Sequence, residues 1–173
     1  MPEPLPDRFK PFDWVAEGRS VAGELPVAAL GRLCASLAAP VDAPVSVELA
    51  AGVGDDGRPM LTGRARVMLA TQCDRCLEPM PLPLDVPIRL ALVRSEAEAA
   101  HLPDTLEPLL IDGEWLDIAT LIEDELLLVM PMFSMHAAGE CVSQTVQATA
   151  GAPRKPFAAL ASLRRDGEGN EEF

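Results

Sequence analysis

The 173-residue chain has no tyrosine, and aromatic residues make up only 4% of it. Because proteins that bind single-stranded nucleic acid often stack bases on aromatic side chains, this composition argues against a stacking platform. Basic residues are also scarce, since 14 Lys and Arg stand against 27 Asp and Glu for a net charge of −13. This balance argues against a protein that binds nucleic acid by bulk phosphate neutralisation.

The sequence also lacks a long apolar run and a targeting pattern at its start. No apolar stretch reaches the roughly 18 residues that a membrane-spanning helix needs. The first 25 residues carry prolines and acids, without the basic start and apolar stretch of a signal peptide. We therefore expect a cytoplasmic protein with no membrane partner, whose four cysteines are thiols or metal ligands rather than disulfides.

Length and composition predict one ordinary domain with flanking segments. Apolar residues make up 49% of the chain, which is enough for a core. Proline-rich residues 1–25 predict an extended N-terminal arm, with a strand near residues 19–25. Residues 26–141 are predicted to form the core domain. Residues 142–173 combine a linker rich in Ser, Thr, Gln, Ala, Gly and Pro with a short terminal segment, which predicts a flexible C-terminal tail.

Alternation of apolar and polar residues predicts several strands in the core domain. The pattern has period two at residues 45–49, 60–72 and 84–93, and a further strand is expected at residues 106–111. Residues 52–57, Gly-Val-Gly-Asp-Asp-Gly, supply the turn chemistry of a hairpin. Because the links are short, we expect an antiparallel β-meander with one packed face and one face in water.

Two main helices are expected to pack on this meander. Pro26 can begin the first helix, whose apolar stripe includes Leu30, Leu33 and Leu37. Asp117 can cap the second helix, which Pro131 ends. The predicted fold class is therefore α+β. The acids Glu123, Asp124 and Glu125 are expected largely outside the apolar stripe of the second helix, on its solvated face.

A pair of cysteines at the end of a predicted strand is the sharpest local signal. Cys73 and Cys76 have the spacing at which two thiolates can bind one zinc ion in a tight turn. A structural zinc site needs four ligands, and His136 and Cys141 in a later loop would complete a Cys3His set. The alternative is that the thiols are reduced and bind no metal. Cys34 lies on the apolar stripe of the first helix and is expected in the core.

Charge is distributed unevenly along the chain. Six arginines lie between residues 58 and 94, whereas residues 95–153 contain no Lys or Arg and eleven acids. Arg64, Arg66 and Arg89 are expected on the solvated sheet face and, with Arg75, are candidates for contact with RNA phosphates. The alternative is that these are ordinary surface charges on exposed strand positions.

Catalytic chemistry finds little support in the sequence. The two histidines lie in predicted loops without a nucleophile motif, and glycines 52, 54 and 57 are explained by a hairpin. The cluster of Glu123, Asp124 and Glu125 can in principle hold a hard cation, but a solvated helix face explains it better. We therefore predict a protein that is not an enzyme.

Several short motifs follow one another between residues 72 and 164. They begin with Gln-Cys-Asp-Arg-Cys-Leu-Glu at residues 72–78 and end with Lys-Pro-Phe-Ala-Ala-Leu-Ala-Ser-Leu-Arg at residues 155–164. Between these two lie residues 93–96, 102–103, 107–108, 116–118 and 123–126, then Pro131, His136 and Cys141. In this order they resemble the motifs of the YceD family, the large ribosomal RNA subunit accumulation proteins of bacteria. The closing run of that family is Asn-Pro-Phe-x-x-Leu-x-x-Leu-Lys, and Lys155 stands here in place of Asn.

This resemblance implies a non-enzymatic role in accumulation of 23S rRNA and in assembly of the large ribosomal subunit. It also suggests 23S rRNA or an early large-subunit particle as partner, or ribosomal protein L32. In the alternative that we keep open, the acidic stretch 96–140 makes the protein an adaptor for a basic ribosomal protein. A third possibility is a purely structural zinc module. Candidates for docking a partner are Glu123, Asp124, Glu125, Phe157, Leu160 and Leu163.

Overall fold

The structure, a computed structural model, describes residues 5–37, 42–137 and 140–141. These residues form an α+β fold, as expected, and the compact unit to which they belong ends at Cys141. The strands are β1 (Arg8–Phe9), β2 (Ser20–Pro26), β3 (Pro44–Val53), β4 (Pro59–Gln72), β5 (Pro79–Val93), β6 (Glu107–Leu110) and β7 (Leu116–Asp117). The α-helices are α1 (Pro11–Glu17), α2 (Gly31–Ser36), α3 (Glu96–Ala99) and α4 (Ile118–Val129).

Five strands form one sheet in the order β2-β3-β4-β5-β6. The pairings from β2 to β5 are antiparallel and follow chain order, which confirms the predicted meander. β6 departs from it, because it pairs in parallel with the end of β5. A parallel pair needs a crossover connection, and the segment containing α3 supplies one. β1 and β7 form a separate two-stranded antiparallel ribbon.

The two faces of the sheet follow the alternation read from the sequence. The inner residues of β3, β4 and β5 join one hydrophobic core. Gly63 lies on this inner side, where a Cβ atom would overlap the carbonyl oxygen of Glu48 on β3. Glycine therefore permits the close approach of β3 and β4 at this point. The buried inner residues are Val45, Val47, Leu49, Leu61, Ala65, Val67, Leu69, Leu84, Val86, Ile88 and Leu90.

The long β4–β5 hairpin extends beyond the rest of the sheet. Its register continues to the pair Gln72 and Pro79, where the cysteine turn begins. Along this extension β5 carries prolines at alternate positions 79, 81 and 83, and β6 pairs only with residues 90–93. Because proline cannot donate to a strand ladder, it is tolerated on an edge strand and discourages further pairing there.

Residues 5–25, the described part of the predicted N-terminal arm 1–25, form a helix and strands rather than an extended arm. β2 confirms the expected strand, but α1 precedes it, and Phe9 and Trp14 are buried in the core. Pro11 begins α1 and Gly18 ends it in the left-handed conformation, with φ of 63°. Both residues are ordinary helix punctuation, since proline suits the first turn and glycine the C-terminal cap.

The first predicted helix begins later than expected. Pro26 ends β2, a single 3-10 turn follows at Val27–Ala29, and α2 begins only at Gly31. α4 agrees better with its prediction, because the side chain of Asp117 accepts a hydrogen bond from the N–H of Thr120. It ends at Val129, two residues before Pro131. α1 contacts β3 and β4, whereas α4 contacts β5 and α2.

The predicted flexible tail, residues 142–173, lies outside the described residues. The docking candidates Phe157, Leu160 and Leu163 lie there as well.

Candidate functional site

The turn between β4 and β5 brings the first two cysteines together. The N–H of Cys73 donates to the carbonyl of Glu78 at 2.9 Å, and the N–H of Leu77 donates to the carbonyl of Cys73 at 2.8 Å. Leu77 adopts a left-handed conformation with φ of 63°, which is uncommon for a residue with a branched side chain. The amide of Gln72 donates to the carbonyl of Leu77 at 2.8 Å and holds this conformation.

Backbone N–H groups surround the sulfur of Cys73, which is fully buried. Burial alone would raise the pKa of this thiol, but N–H donors from Cys76, His136 and Arg75, with the thiol of Cys76, lower it to about 5. Hydrogen bonds to the charged form favour that form. The turn is therefore built to hold a thiolate at Cys73, which is the form of cysteine that binds metal.

The loop after α4 is held against this turn. The N–H of Asp74 donates to the carbonyl of Ser134 at 2.8 Å, and the N–H of Ser134 donates to the carboxylate of Asp74 at 2.7 Å. The guanidinium of Arg75 also donates to the carbonyl of His136 at 3.0 Å. These contacts join segments about sixty residues apart, and they place His136 beside the cysteines without any metal bond.

Cys73, Cys76, His136 and Cys141 form one cluster, with ligand atoms all within 4.8 Å of one another. The sulfurs of Cys73 and Cys141 lie 3.7 Å apart. Nδ1 of His136 lies 3.4 Å from the sulfur of Cys76 and 3.8 Å from that of Cys141. A tetrahedral zinc ion would separate two sulfur ligands by about 3.8 Å and a sulfur from a nitrogen by about 3.6 Å. The cluster thus has the size and donor set for a metal such as zinc.

The other cysteines differ in environment. The pKa of Cys141 is raised, mainly by burial and to a smaller extent by contact with the thiols of Cys73 and Cys76. A bound cation would offset this effect, because it stabilises the thiolate. Cys34 lies apart from the cluster, and its thiol donates to the carbonyl of Val27 at 3.1 Å. It is half-buried and packs against the core, which is close to the position expected from the sequence.

Arg64 and Arg66, on the outer sheet face, already have carboxylate partners within the sheet. Arg64 donates to both oxygens of Asp85 at 2.9 Å. Arg66 lies 3.5 Å from Asp85 and 3.8 Å from Glu48. All of these side chains are about half exposed, so their pairing is weak in energy but reduces the positive charge of this face.

The remaining two arginine candidates lie elsewhere. Arg89 extends this face towards the β3–β4 hairpin, where it lines a shallow cleft of about 240 Å³ with Thr62 and Asp55. Arg75 belongs to the cysteine turn. The four candidates therefore do not form one continuous stripe, because Arg75 lies at the tip of the long hairpin.

The acidic run on α4 has a different structure from the solvated face predicted for it. Glu123 is only 7% exposed, and one oxygen accepts hydrogen bonds from the N–H groups of Arg32 at 2.6 Å and Leu33 at 3.0 Å. The other oxygen binds the guanidinium of Arg32 at 2.8 Å. Burial would raise the pKa of Glu123, but the N–H of Leu33 and the side chain and N–H of Arg32 lower it. Glu123 thus caps the first turn of α2.

The two neighbouring acids differ from Glu123 and from each other. Asp124 is about half exposed and binds the guanidinium of Arg32 at 2.7 Å. Glu125 is buried, and burial together with the negative charges of Glu107 and Asp124 raises its pKa. Of the three docking candidates on α4, only Asp124 presents its carboxylate to solvent. The periodicity of the sequence could not show this, because the groups that meet Glu123 belong to α2.

Two further observations concern membrane-spanning helices and the positions of the two histidines. In the described part of the chain, no helix is long and apolar enough to cross a bilayer. His101 lies 2.6 Å, through Nδ1, from the carbonyl of Ala97, and His136 lies in the cysteine cluster.

The fold and the cluster define a class of protein: a mostly antiparallel sheet with packed helices, in which a Cys3His cluster lies between a hairpin tip and the loop after α4. A family model described as "Large ribosomal RNA subunit accumulation protein YceD" matches residues 61–164. The chain belongs to this family. The match includes the cysteine turn, α4 and the loop that follows it.

One curated relative extends this comparison. The chain is 30% identical over 115 residues to the large ribosomal RNA subunit accumulation protein YceD of Haemophilus influenzae. The alignment covers 61% of this chain and 66% of the relative, so the chain spans just under two thirds of its length. No solved structure matches the chain.

Proposed function

We propose that this protein supports accumulation of 23S rRNA and assembly of the large ribosomal subunit in the cytoplasm, without catalysing a reaction. The observation that carries the proposal is the family match over residues 61–164, which spans both the cysteine cluster and α4. The YceD family is not a known enzyme family. The contact that we propose is with 23S rRNA or with an early large-subunit particle.

A test in cells is deletion of the gene followed by measurement of 23S and 16S rRNA. We expect 23S rRNA and mature large subunits to fall relative to 16S rRNA, and the intact gene to restore both. Ultraviolet crosslinking, followed by sequencing of the attached RNA, then shows whether the protein lies on 23S rRNA. Equal 23S and 16S levels with and without the gene would contradict the proposal.

We further propose that Cys73, Cys76, His136 and Cys141 bind a structural zinc ion. The support is that the four ligand atoms lie within 4.8 Å of one another, with three distances of 3.4–3.8 Å among them, and that N–H groups are directed at Cys73. Purified without chelator, the protein should contain close to one zinc per chain in a colorimetric assay. Cys76→Ser should lose it, whereas Cys34→Ser should keep it, since Cys34 lies outside the cluster. Folded wild-type protein without metal would contradict this assignment.

The arginines remain the candidates for direct RNA contact. Arginine suits phosphate because its planar guanidinium can donate two parallel hydrogen bonds. The test compares crosslinking of wild type, the double variant Arg64→Gln with Arg66→Gln, and a control Arg8→Gln on β1. Glutamine is preferable to glutamate here, since a new carboxylate would face Asp85 and Glu48. Direct contact predicts fewer 23S crosslinks for the double variant alone, and unchanged crosslinks would contradict it.

A second candidate mode is an acidic adaptor that holds a basic ribosomal protein, such as L32, before it meets RNA. The observation that favours it is the pairing of Arg64 and Arg66 with Asp85, which offsets part of the positive charge of the outer face. Charge complementarity would speed encounter with a basic partner and make binding sensitive to salt. Binding of purified L32 that persists unchanged from low to high salt would count against this mode.

A further inference from the structure

Large apolar side chains are exposed in the loop that carries His136, at the end of α4 and in the cysteine turn. Met132 is 91% exposed, Phe133 71% and Leu128 70%, although all are large apolar side chains. Met135 and, in the cysteine turn, Leu77 are more than half exposed as well. We refer to these five residues, Leu77, Leu128, Met132, Phe133 and Met135, as the apolar platform. Single exposed apolar residues are ordinary, whereas several in one short segment mark an interaction site.

The backbone of the platform is fixed rather than free to collapse. Ser134 is held by Asp74 through two hydrogen bonds of 2.7 and 2.8 Å, and this residue separates Phe133 from Met135. His136, two residues after Ser134, belongs to the Cys3His cluster. Turn and loop thus hold Phe133 and Met135 on either side of an anchored residue. Both remain exposed although the core lies within the same compact unit.

The charges around the platform select the chemistry of its partner. Glu78 and Glu140 are exposed beside the cysteine turn and the cluster, whereas Asp124, one helical turn before Leu128, is already bound by Arg32. Of the described residues after Arg94, none is Lys or Arg. The nearby cations are engaged, since Arg32 binds Glu123 and Asp124, and Arg75 donates to the carbonyl of His136. A partner with apolar anchors and positive charge therefore fits this surface.

We infer that the apolar platform binds a basic, amphipathic segment of a protein partner. This inference rests on the proposed function in its adaptor mode and names the surface that the partner contacts. Methionine side chains are flexible and polarisable, so a platform with two of them adapts to apolar side chains of varied shape. The acids at its margin pair with Lys and Arg of the same segment. RNA is the less suitable occupant, because phosphate contacts need unpaired cations.

The test measures fluorescence anisotropy of a labelled synthetic helix of about 18 residues, with Leu on one face and Lys on the other. The full-length, metal-loaded protein is compared with Phe133→Ser and with Val53→Ser. Val53 is a matched control, because it is 66% exposed and lies at the end of β3, outside the platform. We expect Phe133→Ser to weaken binding about tenfold or more, and Val53→Ser to change it by less than about twofold.

A second peptide separates apolar docking from charge alone. It keeps every Lys and has Ser in place of Leu, and we expect it to bind about tenfold more weakly than the first. Equal affinity for both peptides, or an equal effect of both variants, would overturn the inference. The inference would also fail if the protein bound single-stranded RNA but not the peptide, and Phe133→Ser abolished the RNA binding. If the wild type self-associates and Phe133→Ser abolishes this self-association, the platform binds a second copy of the chain. That result would also overturn the inference.

Complementation of the deletion strain distinguishes this inference from the proposed function. Zinc content and circular dichroism first establish that Phe133→Ser is folded. If the variant loses peptide binding but restores 23S rRNA fully, the platform is not needed and the inference fails, while the proposed function stands. If the deletion itself leaves 23S rRNA unchanged, the proposed function fails whatever the peptide does.

Discussion

At the scale of single residues, the buried carboxylate of Glu123 links two helices. The residue before α2 is Leu30, whose side chain cannot accept a hydrogen bond, so the first N–H groups of the helix need another acceptor. Glu123 supplies it from α4. We expect Glu123→Gln to lower the free energy of unfolding by about 1–2 kcal/mol. Asp124 is the exposed neighbour, and Asp124→Asn should lower the free energy of unfolding by about 0.5 kcal/mol or less. Urea denaturation of both variants at pH 7 measures the difference.

The lowered pKa of Glu123 fixes the sign of its pH dependence. A carboxyl group whose folded pKa lies below its unfolded value stabilises the fold above that unfolded value, about 4.3. This contribution is lost as the pH falls through the folded pKa. The difference in stability between wild type and Glu123→Gln should therefore shrink as the pH is lowered below about 4. A difference that stays constant down to the acid transition would show that charge plays no part in the cap.

Glu125 should have the opposite effect. Burial and the charges of Glu107 and Asp124 raise its pKa, so the ionised form opposes folding at neutral pH. The protein gains stability from this group at acid pH and loses it as the pH rises through the raised pKa. We expect Glu125→Gln to stabilise the protein at pH 7 by about 1 kcal/mol, and to leave it unchanged or less stable near pH 4. Thermal melts of both proteins at the two pH values check the crossover.

Gly63 is a position where the sheet tolerates no side chain. Because a Cβ atom there would overlap the carbonyl oxygen of Glu48, Gly63→Ala must push β3 and β4 apart. We expect a loss of about 2 kcal/mol or more in the free energy of unfolding. Gly52→Ala is the control on β3, since a Cβ atom at residue 52 meets nothing within 4 Å. Equal stability of the two variants would show that the strands can separate without cost.

At the scale of elements, the longer strands were predictable from sequence, whereas the two-residue strands β1 and β7 and the short helices were not. Alternation marks β3, β4 and β5 because each has one buried and one solvated face. α1 has only seven residues, too few to repeat a helical period, so its prolines suggested an extended arm. The informative signals were Pro11 at its start and Gly18 at its end. The parallel pairing of β6 depends on a crossover, which local pattern does not encode.

The metal-ligand set illustrates a second limit at this scale. Spacing indicated Cys73 and Cys76 as a ligand pair, and residue type left His136 and Cys141 as the remaining candidates; the structure brings the four together. The contacts between Asp74 and Ser134 could not be predicted, because neither residue belongs to a spacing motif. These hydrogen bonds orient the loop independently of the ligands. The proposed metal site would therefore be partly preorganised.

Removal of metal should therefore loosen one loop rather than unfold the domain. After dialysis against a strong chelator, we expect faster amide hydrogen exchange in residues 131–141 and 73–78. Amide hydrogens of β3 and of the inner positions of β4 should keep their protection from exchange. The hydrophobic core that protects them does not include the four residues of the cluster. Readdition of zinc should restore the slow exchange. Global unfolding by the chelator would instead mean that the metal contributes the stability of the whole fold.

At the scale of the whole molecule, the net charge does not describe how charges are distributed over the surface. The chain carries a net charge of −13, yet its outer sheet face combines Arg64, Arg66 and Arg89 with Asp85 and Glu48. Sequence could predict which strand face carries the arginines, since alternation determines it. It could not show that Asp85 lies beside two of them, because that depends on the register of β4 and β5.

This register makes Asp85 the residue that decides whether the sheet face can attract RNA. Asp85 binds Arg64 through both oxygens and also lies near Arg66, so Asp85→Asn should release Arg64 and leave Arg66 with Glu48 as its carboxylate partner. We expect this variant to bind a 23S rRNA fragment more tightly than wild type, with a salt dependence steeper by about one phosphate contact or more. Asp13→Asn on α1 removes the same charge elsewhere and controls for net charge. If both variants gain equally, only the overall charge matters and the arginine face has no special affinity for RNA. A gain confined to Asp85→Asn would show that this carboxylate masks a surface able to bind RNA.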